Sequence, residues 1–192
     1  MPSTQKHSPW KVLREKKVFT APPWFSVSVQ SVQLPDGKVL DEYYQIHLPQ
    51  TVIMFVTTPD DKVVMLRNYK HGFKRVSITF PGGIMDHSNE TPHEAAIREL
   101  REETGYECSE WQMMGSFIPH ANYGCGRVNF FQGRNALRVT EQSDDDVEEI
   151  EVILLNREEL ATSFRNGDIA SLSAMAMLCL VSSGLTGETS CK

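Results

Sequence analysis

The chain has 192 residues, 40 % of them hydrophobic and 23 % charged, with a formal net charge of −6. That length and composition suit one soluble globular domain with a small appendage, and the acidic balance argues against nucleic acid or an anionic membrane as a partner. Residues Met1 to Thr20 hold no apolar run, and the longest one, near Ala174 to Val181, is too short to span a bilayer. The four cysteines, Cys108, Cys125, Cys179 and Cys191, have no metal-ligand spacing. Free thiols in a reducing cytoplasm are the expectation.

In chain order, residues 1–23 are polar and punctuated by proline, and a mobile tail is expected. Trp24 to Leu34 and Val39 to Leu48 alternate as strands around the turn Pro35-Asp36-Gly37, so residues 24–49 are expected to form an antiparallel hairpin. The main domain is expected over residues 50–185, with a short tail at 186–192. Thr51 to Thr57 is an apolar run suited to a buried strand, Lys62 to Tyr69 is the next strand, and Ser77 to Phe80 leads into a glycine loop. Trp111 to Phe117, Arg127 to Gln132 and Ile150 to Leu155 read as further strands. Helices are expected from about Asn156 to Arg165 and from Ser171 to Ser183. The order predicts an α/β (α+β) fold, a mixed β-sheet sandwiched between helices.

The most informative stretch is Gly82 to Tyr106. Thr91 suits an N-cap, Pro92 the first helical position, Glu94 a capping box and Gly105 a left-handed stop. A helix over Pro92 to Thr104 is predicted, roughly 20 Å long at about 1.5 Å per residue. At about 100° per residue, Glu99, Glu102 and Glu103 share one narrow sector, and Ala96, Ile97 and Leu100 another that can face a core. Crowded carboxylates repel. Arg98 and Arg101 offset part of that, and a hard divalent cation such as Mg2+, or Mn2+, is the other natural partner. The plain alternative is a solvated acidic face.

The run Arg98-Glu99-Leu100-Arg101-Glu102-Glu103-Thr104-Gly105-Tyr106 resembles the signature of the Nudix hydrolases, with Glu90 correctly placed, seven residues lying between it and Arg98. The loop departs by one residue, with six rather than five between Gly83 and Glu90. Leu34-Pro35-Asp36-Gly37, Arg67-Asn68-Tyr69-Lys70, Ser116-Phe117-Ile118-Pro119 and Gly167-Asp168-Ile169 are similar to the ADP-ribose pyrophosphatase branch. Thr79-Phe80-Pro81-Gly82-Gly83 differs from that branch's Glu-Leu-Pro-Ala-Gly.

The resemblance implies metal-dependent hydrolysis of a nucleoside diphosphate derivative, ADP-ribose first, to AMP and ribose 5-phosphate. Another nucleotide sugar or a dinucleotide is the alternative substrate, and a non-catalytic ligand-binding module the alternative function. The resemblance also implies a homodimer joined through the hairpin. Glu99, Glu102 and Glu103 are the expected metal ligands, with the Gly82 carbonyl, and Arg98 their second-sphere support. Glu148 is the leading general base, with Glu149, Glu151 and the helix glutamates as rivals. Arg67, Lys70, Gly83, Pro119 and His120 are the expected substrate contacts. Phe73, Tyr123 and Trp24 are candidates to stack on an adenine ring.

Overall fold

The computed structural model describes residues 8–85, 89–142 and 149–184, which form two compact units. The first comprises Met1–Pro49 with Ile118–Arg127, and the second Gln50–Phe117 with Val128–Lys192.

The first unit is a three-stranded antiparallel sheet of β1 (Lys11–Ala21), β2 (Phe25–Gln33) and β3 (Val39–His47), in that order. The β2–β3 hairpin turns at Pro35-Asp36-Gly37, where Gly37 adopts φ +87° and its N–H donates to Leu34 O at 2.9 Å. Strand β1 corrects the expectation of a mobile tail. It pairs with β2 along its length, but register shifts fall between Val12 and Arg14 and between Lys17 and Phe19. Those irregularities break the two-residue period, and nearly every side chain of β1 is exposed, so neither alternation nor burial marks the strand in the sequence. Ile118–Arg127, expected within the main domain, belongs to this unit. The Ile46 N–H donates to Tyr123 O at 2.9 Å, the Cys125 N–H to Ile46 O at 3.1 Å, and Gln45 Nε2 to Asn122 O at 2.8 Å.

The second unit is built from β4 (Thr51–Val56), β5 (Val63–Lys70), β6 (Arg75–Thr79), α1 (Pro92–Thr104), β7 (Tyr106–Glu107), β8 (Glu110–Phe117), β9 (Val128–Arg134), β10 (Leu137–Arg138), β11 (Glu151–Leu155), α2 (Arg157–Arg165) and α3 (Leu172–Ser183). One sheet runs β4-β9-β8 with β4 and β9 parallel, and another runs β11-β5-β6, all antiparallel. The two-residue β7 and β10 pair with each other and carry too little sequence to be legible beforehand.

Strand β4 shows why the helices lie on both faces. Successive side chains of a strand point to opposite sides. Val52, Met54 and Val56 pack in one buried cluster with Ala95, Ala96 and Leu100 of α1. Phe55 packs in a second with Leu160 of α2 and Ala174 and Met177 of α3. Strands β5 and β9 divide in the same way: Val64 and Phe131 face α1, while Val63, Met65 and Phe130 face α2 and α3. This is the mixed sheet core between helices that the element order predicts.

Candidate active site at the glycine loop and carboxylate helix

Helix α1 begins and ends where its residues dictate. Glu94 N–H donates to Thr91 Oγ1 at 3.2 Å, and Thr91 N–H to Glu94 Oε2 at 2.8 Å, closing the capping box. The Thr91 N–H, and then the Thr91 hydroxyl, both donating to Glu94 Oε2, hold that carboxyl below the usual carboxylate range. Gly105 closes the helix at φ +73°. The buried face is Ala95, Ala96, Leu100 and Thr104. Ile97, expected on it, is exposed, and Ala95 takes its place. Ala95, Ala96 and Leu100 pack in one buried cluster with Val52, Met54 and Val56 of β4.

The glycine loop is laced onto the edge of β4. Met54 N–H donates to Pro81 O at 2.9 Å, Val52 N–H to Gly83 O at 3.0 Å, and Met85 N–H to Gln50 O at 2.9 Å. Between those contacts Gly82 turns the other way, and its N–H donates to Glu103 Oε2 at 2.8 Å. Both glycines sit where an added Cβ would meet a neighbour. A Cβ on Gly82 would collide with the Val52 carbonyl, and a Cβ on Gly83 with the Glu99 carboxylate. The carboxylates of Glu99 and Glu103 are thereby both brought against the loop backbone.

Arg98 gathers the acids. Its Nε donates to Glu90 Oε1 at 2.7 Å and its Nη2 to Glu90 Oε2 at 3.1 Å. Its Nη1 reaches Glu99 Oε1 at 2.8 Å and Glu102 Oε2 at 2.9 Å, and its Nη2 the Ile84 carbonyl at 3.2 Å. The Glu90 contact, then the neighbouring carboxylates, drive the guanidinium pKa still higher against the opposing effect of burial. Arg98 is therefore a permanent cation that aligns three carboxylates and ties the far end of the loop to the helix. Among the described residues no set of three or more His, Cys, Asp or Glu side chains converges as a preformed metal cluster. Glu99, Glu102 and Glu103 each turn instead toward the Arg98 guanidinium or the Gly82 amide.

An open cavity of about 550 Å3 adjoins this arrangement, within the size range of small-molecule sites. Gly82, Gly83, Ile84 and Glu103 line one part, Lys70, His71 and Phe73 another, and Ser171 and Ser173 a third. Lys70 and Gly83, both expected as substrate contacts, line this cavity. Arg67 is elsewhere: it pairs with Glu151 at 2.9 Å and lines a separate cavity with Tyr69 and Glu149. Alternation along β5 explains the division, since Lys70 lies an odd number of residues from Arg67. Pro119 and His120 lie in the first unit. Glu148, the leading general base, lies outside the described residues.

Sequence reasoning passed over Ser171 and Ser173. Ser171 is the N-cap of α3, its Oγ accepting from Ala174 N–H at 3.4 Å and lying 2.5 Å from Ser173 Oγ. The Ser-x-Ser start of that helix was the available signal.

The comparisons agree with this geometry. The family profile described as the NUDIX domain matches residues 47–174, and one described as the nucleoside diphosphate sugar hydrolase N-terminal domain matches residues 10–46. The chain is 26 % identical over 174 residues to the ADP-ribose pyrophosphatase of Bacillus subtilis (strain 168), covering 88 % of this chain and 92 % of that one. It is 25 % identical over 150 residues to the methanol dehydrogenase activator of Bacillus methanolicus, covering 78 % and 80 %. A crystal structure of an ADP compounds hydrolase superposes with a TM-score of 0.79 at 19 % identity, over 95 % of this chain and 97 % of that one, which shows the shared fold. With its signature helix, glycine loop and sheet core all in place, the chain belongs to the Nudix hydrolase family.

Proposed function

We propose that the protein hydrolyses the pyrophosphate linkage of a nucleoside diphosphate derivative, ADP-ribose foremost, with water, to AMP and ribose 5-phosphate. The observation that carries this reading is the apposition of the Glu103 and Glu99 carboxylates to the backbone of Gly82 and Gly83 beside an open cavity that also presents Lys70. Likeness to the B. subtilis ADP-ribose pyrophosphatase and to the ADP compounds hydrolase NudE of Escherichia coli, 27 % identical over 104 residues, supports the choice of substrate class.

The residues present fit a hard divalent cation, Mg2+ or Mn2+. Glu99, Glu102 and Glu103 would hold it, together with the Gly82 carbonyl. When bound, such an ion supplies charge neutralisation for the diphosphate and a lowered pKa for an attacking water.

The protein's own groups do the rest. Arg98 holds the carboxylates in alignment, and Lys70 places a positive charge on the non-bridging phosphate oxygens. A carboxylate takes the proton of the attacking water, in the order Glu148, then Glu149, Glu151 or Glu102. Water oxygen bonds to phosphorus as the bridging P–O bond breaks, and the bridging oxygen leaves with the departing phosphate. The same reading makes the protein a cytoplasmic homodimer joined through the first unit. That unit exposes Val12 and Phe19 on β1 and Trp10 and Trp24 beside its ends, apolar side chains that a partner copy would cover.

The test is a screen of the purified chain with Mg2+ or Mn2+ against ADP-ribose, other nucleotide sugars, dinucleotides and nucleoside triphosphates. ADP-ribose is expected to be turned over fastest, and AMP and ribose 5-phosphate to appear in equal amounts. An absence of turnover with every substrate would overturn the reading.

A further inference from the structure

Phe73 lines the cavity beside the glycine loop. Every other Phe, Tyr and Trp of the second unit either pairs with another ring or belongs to or packs against one of the two buried clusters. Phe73 does neither among the described residues, and it is 38 % exposed. It is nonetheless held in place. It sits in the turn between β5 and β6, where its N–H donates to Lys70 O at 2.9 Å, Lys74 N–H donates to His71 O at 3.1 Å, and Lys74 takes φ +55°. The strand pair is closed beneath it by Lys70 opposite Arg75. The ring therefore lines the cavity from a short, well-braced hairpin rather than from a long loop.

Building on the proposed function, we infer that Phe73 is the stacking platform for the flat aromatic base of the substrate. A diphosphate placed at Gly82, Gly83 and Glu103 has a substituent on each side. The same cavity is lined by Lys70 and by His71, Gly72 and Phe73 of the hairpin turn. An aromatic face there offers a base the same sequence-tolerant contact that single-stranded nucleic-acid binders use. Lys70 lines the same cavity between the glycine loop and Phe73, so a base attached to phosphate is favoured over a neutral aromatic compound. On this assignment the second unit by itself selects for a nucleoside over a plain sugar phosphate.

The test measures binding of AMP and of ribose 5-phosphate to the full chain by calorimetry, for wild type, Phe73→Ala and Phe73→Tyr. Wild type should bind AMP more tightly than ribose 5-phosphate. Phe73→Ala should weaken AMP by at least about fivefold, the lower end of what one base-stacking contact contributes, and leave ribose 5-phosphate unchanged. Phe73→Tyr, which keeps the ring, should bind AMP like wild type. Equal AMP affinity in wild type and Phe73→Ala overturns the inference. So does an equal loss for both ligands, which marks a merely structural residue, and so does a wild type that binds AMP no tighter than ribose 5-phosphate or binds neither. Turnover of ADP-ribose by the same wild-type preparation reports separately on the proposed function.

Discussion

Arg98 and Glu90 are joined by two hydrogen bonds, Nε to Oε1 at 2.7 Å and Nη2 to Oε2 at 3.1 Å, with the Glu90 side chain only 7 % exposed. The same guanidinium then reaches Glu99 and Glu102. A fork-shaped cation can serve that many acceptors, whereas an ammonium is a point charge. Arg98→Ala strands a nearly buried carboxylate, and breaking such a pair from one side costs about 3–5 kcal/mol when fully buried. Half-exposed Glu102 draws the expected loss toward the lower end, about 2–3 kcal/mol, or roughly 5–10 °C in thermal midpoint for a chain of this size. Arg98→Lys should recover stability only in part. Scanning calorimetry of both variants, with Arg98→Ala as stable as wild type, would sink the claim that this residue organises the loop.

The two glycines should fail differently. The Cβ of Gly82→Ala meets the Val52 carbonyl, which is backbone, so loop and strand must separate. The Cβ of Gly83→Ala meets the Glu99 carboxylate, the end of a flexible side chain that can swing away. Gly82→Ala is expected to lower the thermal midpoint clearly. Gly83→Ala should change it by less than half as much while reducing kcat at least about tenfold, because it displaces a carboxylate assigned to the cation. Paired melting curves and steady-state rates separate the two, and equal profiles for both variants would contradict the geometry.

Glu103 carries two tasks that a single change can divide. Its Oε2 accepts the Gly82 N–H, and its carboxylate is assigned to a divalent cation. Glu103→Gln keeps an acceptor for the amide but removes the negative charge. The fold should persist, while kcat/KM falls at least about a hundredfold and higher Mg2+ concentrations are needed for half-maximal rate. Chelation with EDTA should abolish wild-type turnover, and added Mg2+ should restore it. A variant with wild-type rates and Mg2+ dependence would remove Glu103 from the site.

How much of this was legible beforehand depended on whether neighbouring residues alone decide an outcome. Helix α1 was legible to the residue because Thr91, Pro92, Glu94 and Gly105 specify its ends locally. The pairing of Arg98 with Glu102 followed from their spacing on one helix. Glu90 as the tightest partner of Arg98 did not, because the path of the connecting loop brings it there. Arg67 and Lys70 look alike in sequence. Which of them lines the cavity beside the glycine loop depends on strand parity and on Glu151, eighty-four positions away in the chain. Strand β1 was hidden by its own irregular register. Exposed Ile97 shows that the wheel gives a sector and the neighbouring strand selects the angle within it.

Cys108 gives a prediction that needs no substrate. Its thiol packs against Gly133, where no Cβ could be accommodated, and burial pushes its pKa up to about 12 from an ordinary 9.0. The fold thus favours the protonated thiol. That contribution is fully present below pH 9.0, the value in the unfolded chain, and is lost as pH rises from there toward about 12. Cys108→Ala should flatten the alkaline decline in stability over that window. The thiolate is the reactive form, so at pH 8 the native chain should alkylate exposed Cys179 readily and Cys108 very slowly, with Cys108 catching up on unfolding in guanidinium. Peptide mapping after timed iodoacetamide treatment checks the order. Labelling of Cys108 at the rate of Cys179 in the native protein would show that the wall it forms with Gly133 opens easily.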